Sequence, residues 1–270
     1  MSTSRCYHDG GDGRASETQV MSDQVSLQSV EVATVTILVD NFIDALLPSS
    51  EVAQRPQVAY NMWEREREKL VAEHGLSMLL TIEWDGQRAS LVYDAGLGRK
   101  TAIHNMDVLQ VRLPDLRAVV MSHGHSDHHG GLEGLIRRVG TQGMPLIIHP
   151  EAWRERKIIF PTGSELHLPP PSRQDLDCEG VEVTEERQPS LIIDGTVLVT
   201  GQVERVTDFE KGFPLNYARS NGDALTVVGS PTPGSGTIKR WWCASKRRVW
   251  WCFRAAATLD RLTCYVRLSG

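Results

Sequence analysis

The densest group of metal-ligand residue types lies in the segment SHGHSDHHGG, residues 122–131. His123, His125, Asp127 and His128 fall within six positions, directly after the apolar run LRAVVM, which predicts a buried strand. Side chains two positions apart in an extended segment point the same way, so His123 and His125 can present their imidazoles to one ion. Asp127 and His128 follow one turn later and can face a second ion close by. Imidazole and carboxylate ligands without thiolate suit Zn²⁺, and also Mn²⁺ or Fe²⁺.

Two such ions would explain why a protein needs these residue types at this spacing. A pair of metal ions about 3.5–4 Å apart lowers the pKa of a bridging water and polarises a substrate oxygen. This chemistry predicts hydrolysis. The alternative is a polar, exposed loop that happens to be rich in histidine. The position after a strand and before Gly130-Gly131, which let the chain turn sharply into a helix, favours the metal site. Gly124 is expected to keep the space between the two histidines open.

Hydrophobic periodicity predicts the elements that must position this segment. Adjacent strand pairs alternate with helices, which predicts an α+β fold with two mixed sheets covered by helices. The hairpin turns are predicted at Asp85-Gly86 and Asp194-Gly195. The predicted elements are a buried strand over 32–41 ending at Asp40, a charged helix over 57–71, two strands over 76–96, a strand over 116–121, a helix over 131–139, a strand over 145–150 and further strands over 182–203.

The composition excludes several classes of protein. The chain has 270 residues, of which 40% are hydrophobic and 23% charged, so it is neither disordered nor fibrous. No run approaches the roughly 20 apolar residues of a membrane helix, and the first residues lack the apolar core of a secretory signal. We therefore expect a cytoplasmic protein. Five cysteines without a CxxC pair exclude a disulfide framework and a cysteine zinc site.

The charge distribution divides the chain. Residues 221–270 carry eight Lys/Arg and two Asp/Glu, whereas residues 1–220 have a net charge of −11. The same fifty residues hold four of the seven tryptophans and three of the five cysteines. We predict a disordered leader over 1–30, a folded domain over 31–220 and a basic, Trp/Cys-rich tail over 221–270.

The segment HGHSDHHGG resembles the signature of the metallo-β-lactamase superfamily, whose fold is a four-layer αββα sandwich with metals at one edge. Further segments between residues 32 and 215 resemble one branch, the dihydropterin-ribofuranosylaminobenzene-phosphate synthase-like group. The resemblance implies an α+β sandwich of this type whose second half is incomplete. The segments that carry it are ILVDN (37–41), AEHGLSMLL (72–80), YDAG (93–96), IHNMDVL (103–109), HPEAW (149–153) and TGQVERVTDFEKG (200–212).

The resemblance also implies residue roles. His123 and His125 would ligate the first metal, and Asp127 and His128 the second, with Asp127 as the general base. Asp94 would orient a ligand from the neighbouring strand end.

Three of the residues expected at the pocket also have a structural alternative. Asp40 could cap a turn, His74 could be a buried core histidine, and Arg205 could form a surface ion pair. His149 precedes a proline and is expected to have a local structural role. The residues expected to line the pocket are Asp40, Glu73 and His74, and Arg205 is the candidate for holding a substrate phosphate or carboxylate there, because its planar fork matches those groups.

A complete site of this family needs a third histidine for the first metal, a bridging aspartate and a last histidine, all expected after about residue 220. No histidine occurs after His167, and Asp208, Asp223 and Asp260 lack the expected surroundings. The Arg, Trp and Cys bias of the tail is typical of translation in an altered frame or of an unspliced segment. A nucleic-acid or membrane role for the tail is disfavoured, because the rest of the chain is acidic and repels phosphates.

These observations predict a metal-dependent hydrolase with two zinc ions, acting on an ester, phosphoester or similar small polar substrate through a metal-bound hydroxide. The first alternative is a pterin-type synthase that joins a dihydropterin to an aminobenzene ribotide. The second is an inactive, truncated member of the family that lacks the third and last metal histidines. We expect a small-molecule substrate and neither a nucleic-acid nor a membrane partner.

Overall fold

The structure is a computed structural model that describes residues 26–44, 46–51, 53–55, 67–111, 113, 115–140, 144–202 and 215–219, and the backbone of four later strands. The helices are α1 (Thr101–Val108), α2 (Ser126–His129), α3 (Leu132–Val139) and α4 (Arg173–Cys178), with a 3₁₀ turn at Pro150–Trp153. The strands are β1 (Ser29–Val30), β2 (Val32–Val39), β3 (Ser77–Trp84), β4 (Gln87–Tyr93), β5 (Leu116–Val120), β6 (Pro145–Ile148), β7 (Arg156–Ile159), β8 (Glu165–Leu168), β9 (Glu182–Glu185), β10 (Ser190–Ile192), β11 (Val197–Val199), β12 (Asn216–Arg219), β13 (Leu225–Val227), β14 (Arg240–Ser245), β15 (Trp250–Arg254) and β16 (Tyr265–Arg267).

A six-stranded sheet, which we call the central sheet, positions the histidine-rich segment. Its strand order is β2-β3-β4-β5-β6-β9, antiparallel from β2 to β4 and parallel from β4 to β9. The predicted hairpin turn joins β3 and β4, where Asp85 and Gly86 adopt φ angles of 46° and 73°. Left-handed residues at both central positions match the right-handed twist of the flanking strands. The carboxyl ends of β5 and β6 lie side by side, so the segments that follow them meet at one edge of the sheet.

Helices α1, α3 and α4 cover one face of the central sheet. The predicted helix over 131–139 is α3, and its buried residues Leu132, Leu135 and Ile136 follow the three-and-four spacing of an apolar helical stripe. They pack against buried strand residues such as Val92 and Val119. This apolar core fixes the helix that immediately follows the histidine-rich segment.

A second sheet, which we call the opposing sheet, covers the other face. Its strands run in the order β10-β11-β14-β15-β16, and β1 also pairs with β14. Val30, Val197 and Val199 of this sheet are fully buried against central-sheet residues that include Leu80 and Tyr93. The α+β fold class predicted from the sequence is confirmed. The described residues form three layers, helices, sheet and sheet, and no helix follows α4 among them to supply a fourth.

A smaller sheet of order β13-β12-β7-β8 completes the described structure. The sequence analysis missed the β7–β8 hairpin and helices α1 and α4. Ser29 and Val30, predicted to belong to the leader, form β1. Strands β13 to β16 lie in the predicted tail, which shows no strand pattern in its sequence.

Two predicted elements differ from the structure. The strand predicted as buried is β2, but only Leu38 and Val39 of β2 are buried. The reason is that β2 lies at the edge of the central sheet, where it pairs with β3 alone. Of the helix predicted over 57–71, residues 67–71 are not helical, and residues 57–66 lie outside the described part of the chain. Within that part, no helix is long and apolar enough to cross a membrane.

Candidate metal centre

The histidine-rich segment is fixed by backbone contacts on both sides. The Leu76 amide donates to the Asp127 carbonyl at 3.3 Å, and the Ala95 amide donates to the His128 carbonyl at 2.6 Å. A Cβ at Gly124 would overlap the Ala152 carbonyl oxygen. The reason for glycine at this position is therefore the close approach of the 3₁₀ turn, rather than open space between the two histidines.

The side chains of His123 and His125 face each other. His123 Nε2 lies 3.0 Å from His125 Nδ1, and the two rings meet edge to face with centroids 4.6 Å apart. Two nitrogen ligands of one tetrahedral zinc ion, each about 2.0–2.1 Å from it, would lie about 3.3 Å apart. The two nitrogens are therefore spaced within a few tenths of an ångström of a chelating pair. Both side chains are buried, with relative exposures of 6% and 9%.

Asp94 anchors the opposite side of this cluster. It lies just past the end of β4 with a φ of 59°, a left-handed conformation that aspartate tolerates better than most residues. Its fully buried carboxylate accepts hydrogen bonds from the Ser122 amide at 2.7 Å and the Ser122 hydroxyl at 2.6 Å. The same oxygen that accepts the hydroxyl lies 2.7 Å from His128 Nδ1.

This network assigns the ring protons. A carboxylate only accepts, so Asp94 takes the single hydroxyl proton of Ser122 and the Nδ1 proton of His128. The Ser122 oxygen, having donated its proton, accepts from His123 Nδ1 at 2.8 Å. His123 therefore carries its proton on Nδ1, and the lone pair on its Nε2 points towards His125. In its neutral form His128 likewise keeps a free lone pair on Nε2.

The pKa values favour ligation by the first pair. Burial, followed by the charges of His128 and His125, lowers the pKa of His123 well below its usual value. Burial and then Arg156 lower the pKa of His125 to about 4. Both imidazoles are neutral at pH 7, which metal binding requires. Burial, the largest single effect, opposes the charged form of His128, but the carboxylates of Asp94 and Asp127 together outweigh it and the pKa of His128 is raised.

A second, more open pair lies beside the first. Asp127 Oδ2 is 3.6 Å from His128 Nε2 and 3.4 Å from His74 Nε2. The side chain of His74 is 75% exposed, so the alternative that it is a buried core histidine is wrong. Asp127 is 23% exposed and faces both partners. Its predicted roles as a metal ligand and general base stay predictions.

The described side chains offer a metal ion two donor atoms at a time, as two separate pairs. Among the described residues, no group of three or more His, Cys, Asp or Glu side chains is arranged to hold an ion. Two nitrogens at His123 and His125, and an oxygen and a nitrogen at Asp127 and His128, are the chemistry that zinc prefers. Completing either coordination shell requires water, substrate or a group outside the described residues.

Two further predicted pocket residues, Asp40 and Glu73, contact the backbone. Asp40 Oδ1 accepts from the Asn41 amide at 2.7 Å, which matches the turn-capping alternative. Glu73 Oε1 accepts from the amides of Leu97 and Gly98, both at 2.9 Å, and its Oε2 accepts from Thr101 Oγ1 at 2.7 Å. Glu73 thus fixes the loop that leads from Asp94 to α1. Arg205 lies outside the described residues.

The rings of His149 and His129 both form hydrogen bonds with the backbone. His149 Nδ1 accepts from the Glu151 amide at 3.0 Å and caps the 3₁₀ turn, which confirms its local structural role. His129 Nε2 donates to the Pro169 carbonyl at 3.2 Å, and burial lowers the pKa of His129 to about 4.

Sequence reasoning missed two residues of the site, Ser122 and Arg156. The signal for Ser122 was available, because a hydroxyl directly before the first histidine is well placed to contact its ring. Arg156 contacts the segment from 32 positions away, and nothing in the sequence pattern indicates this.

Comparison with known proteins gives the family. Residues 72–211, more than half of the chain, match the sequence model of the Metallo-beta-lactamase superfamily. A 7,8-dihydropterin-6-methyl-4-(beta-D-ribofuranosyl)-aminobenzene-5′-phosphate synthase from Methanocaldococcus jannaschii is 26% identical over 158 residues, which are 56% of this chain and 52% of the relative. The chain thus spans about half the length of this curated relative.

Solved structures of metallo-beta-lactamases are also similar. A HARLDQ-motif mutant from Cronobacter sakazakii is 20% identical, with a TM-score of 0.36, over 68% of this chain and 58% of that protein. The Rm3 metallo-beta-lactamase is 18% identical, with a TM-score of 0.35, over 68% of this chain and 55% of that protein. Because the sequence match covers more than half of the chain, including the histidine-rich segment, the chain belongs to the metallo-beta-lactamase superfamily.

Proposed function

We propose that the chain is a metal-dependent hydrolase that acts in the cytoplasm on an ester, phosphoester or similar small polar substrate. The observation that carries the proposal is the pair of neutral, buried nitrogens of His123 and His125, 3.0 Å apart. These two residues would hold one ion, and Asp127 and His128 a second. Zinc suits the donor set best, with Mn²⁺ and Fe²⁺ as alternatives.

The bound ions would supply an activated water and polarise the substrate oxygen. The protein groups around them have separate tasks. Asp94 and Ser122 hold the imidazoles of His123 and His128 in the tautomers that leave Nε2 free. Asp127, whose side chain is partly open to solvent, would accept the proton of the attacking water.

A pterin-type synthase is the second candidate. The observation that favours it is the 26% identity to the aminobenzene-phosphate synthase from Methanocaldococcus jannaschii. The two activities are separated by assaying phosphodiesters and thioesters against a dihydropterin diphosphate supplied with the aminobenzene ribotide. Release of diphosphate only when both synthase substrates are present would favour the synthase.

An inactive family member is the third candidate. The observation that favours it is that the described residues supply donor pairs and no third ligand, and that no histidine occurs after His167. Such a protein would bind metal weakly, because solvent must replace each lost ligand.

Metal content tests the proposal directly. The purified chain, loaded with zinc and dialysed, is compared with His123→Ala and with His167→Ala, whose side chain is 77% exposed on β8. We expect about two equivalents in the wild type and in His167→Ala, and a loss in His123→Ala. If the wild type binds only one equivalent of zinc and His123→Ala binds none, metal dependence would be supported and the second metal site would be overturned. Metal content near zero in all three proteins would overturn the proposal and favour the inactive member.

A further inference from the structure

The side chain of Arg156 joins three segments around the candidate metal centre. It is the first residue of β7, and its guanidinium donates to four backbone carbonyls. Nη1 lies 3.0 Å from the Gly124 oxygen, 3.1 Å from the Ala152 oxygen and 2.8 Å from the Arg154 oxygen. Nη2 lies 2.6 Å from the Glu151 oxygen. The planar fork of arginine can reach several acceptors at once, which the single ammonium of lysine cannot match.

Burial of the positive charge of Arg156 is electrostatically unfavourable. Burial lowers the pKa of Arg156 to about 10, against the opposing effect of Glu151. The positive charge also lowers the pKa of His125 and His123 nearby. A cation at this position repels a divalent ion bound by the same histidines. Its charge therefore disfavours metal binding, and any benefit to the centre must come from its hydrogen bonds.

Those hydrogen bonds act on the peptide between the two histidines. Gly124 separates His123 from His125, and a Cβ at Gly124 would overlap Ala152 and lie 2.7 Å from Arg156 Nη1. The loop thus lies against the 3₁₀ turn without spare room, and Arg156 fastens the Gly124 carbonyl to that turn. Fixing this peptide fixes the directions in which both imidazoles leave the backbone.

We infer that Arg156 is a positioning residue for the metal centre: by holding the Gly124 carbonyl against the 3₁₀ turn, it sets the 3.0 Å spacing of the two chelating nitrogens of His123 and His125. The inference rests on the proposed function, because it assigns Arg156 a role in metal binding by the same pair. Geometry and charge predict opposite results for substitutions, so they can be separated.

The test uses three substitutions in the full chain. Arg156→Lys keeps the charge and loses the fork, and Arg156→Met keeps an apolar stem and loses the charge. Arg154→Met is the matched control: Arg154 pairs with Glu151 at 2.6 Å in the same segment, and its side chain is not among the partners of Gly124. Gly124→Ala disturbs the same contact from the loop side and leaves Arg156 intact.

Zinc affinity is measured by chelator competition, and the geometry of the centre by the visible absorption spectrum of the Co²⁺-loaded protein. We expect Arg156→Lys, Arg156→Met and Gly124→Ala each to bind zinc about 10–100-fold more weakly, the range typical for loss of a group that orients metal ligands. The Co²⁺ spectrum should change in all three. Arg154→Met should keep both the affinity and the spectrum of the wild type. Thermal unfolding of each metal-free variant shows whether it folds.

Two results would overturn the inference while leaving the proposed function intact. In the first, Arg156→Lys binds zinc as tightly as the wild type and gives the same Co²⁺ spectrum. In the second, Arg156→Met binds more tightly, which would show that only the charge of Arg156 matters. If either Arg156 variant fails to fold, the other and Gly124→Ala decide. Absence of zinc binding by the wild type would instead overturn the proposed function, and this inference with it.

Discussion

Replacing Ser122 with alanine removes the hydroxyl through which Asp94 controls the tautomer of His123. The variant loses a hydrogen bond to a buried carboxylate at 2.6 Å and leaves the Nδ1 proton of His123 without its acceptor at 2.8 Å. A hydrogen bond to a charged group contributes about 1.5–3 kcal/mol, and a buried donor left unsatisfied costs about 1–3 kcal/mol. The two effects overlap in one network, so we expect a loss of about 3 kcal/mol in the free energy of unfolding.

The assay is urea unfolding of the metal-free protein, with Ser90→Ala as the control. Ser90 is also buried, at 4% exposure against 0% for Ser122, but its hydroxyl bonds the neutral hydroxyl of Thr81, at 3.0 Å, and no charged group in the described part of the chain. Its loss should cost about 1 kcal/mol. Zinc affinity should fall about 10–100-fold in Ser122→Ala and stay unchanged in Ser90→Ala. Equal destabilisation by the two variants, or unchanged zinc affinity in Ser122→Ala, would refute the assigned proton network.

Three further outcomes follow from the same structure. Glu73→Gln should lower the free energy of unfolding by about 2 kcal/mol, because a neutral amide replaces a carboxylate that accepts three hydrogen bonds; urea unfolding beside Glu182→Gln, which is exposed on β9, checks this. Gly131→Ala should lower the free energy of unfolding by more than about 2 kcal/mol, because the added Cβ overlaps the Ala95 carbonyl. The control is Gly140→Ala, whose Cβ meets nothing within 4 Å, so that only the backbone strain of about 1 kcal/mol remains. His129 binds a proton near pH 6.5 when unfolded and near pH 4 when folded, so its contribution is complete above pH 6.5 and falls by up to about 3 kcal/mol as the pH drops towards 4. In metal-free His129→Gln, the stability measured by urea unfolding should therefore decrease less steeply over this range, and an unchanged slope would contradict the assignment.

Local patterns predicted those parts of the fold that depend on neighbouring residues. The β3–β4 hairpin follows from Asp85-Gly86, since few residues tolerate two successive left-handed conformations, and α3 follows from its apolar spacing. The burial of β2 could not be predicted in the same way. Its β-branched residues are typical of strands at the edge of a sheet as well as at its centre. Sheet position is decided by distant pairings that the local sequence does not contain.

The candidate site shows the same division. Three histidines within six positions are recognisable from spacing alone, and the structure brings them together with Asp94. The structural contacts of Glu73 were not predictable, because its partners are amides 24 and 25 positions further on. Arg156 is harder still, since its partners are carbonyls that every residue possesses. Backbone acceptors leave no trace in the residue types of a sequence.

The position of β14 in the opposing sheet has a consequence for folding order. This strand pairs with β11 on one side and with β15 on the other, and Ala244 also pairs with Ser29, about 215 residues earlier. The central sheet and its helices are complete by β9, so during synthesis this half can form well before β14 leaves the ribosome. Until then Val30 of β1 and Val197 and Val199 of β11, which pack against the apolar face that carries Leu80 and Tyr93, lack the strand that pairs with both β1 and β11. Because this closure joins residues far apart in the sequence, we expect it to be the slow step of folding and the half-formed protein to be the species most exposed to aggregation.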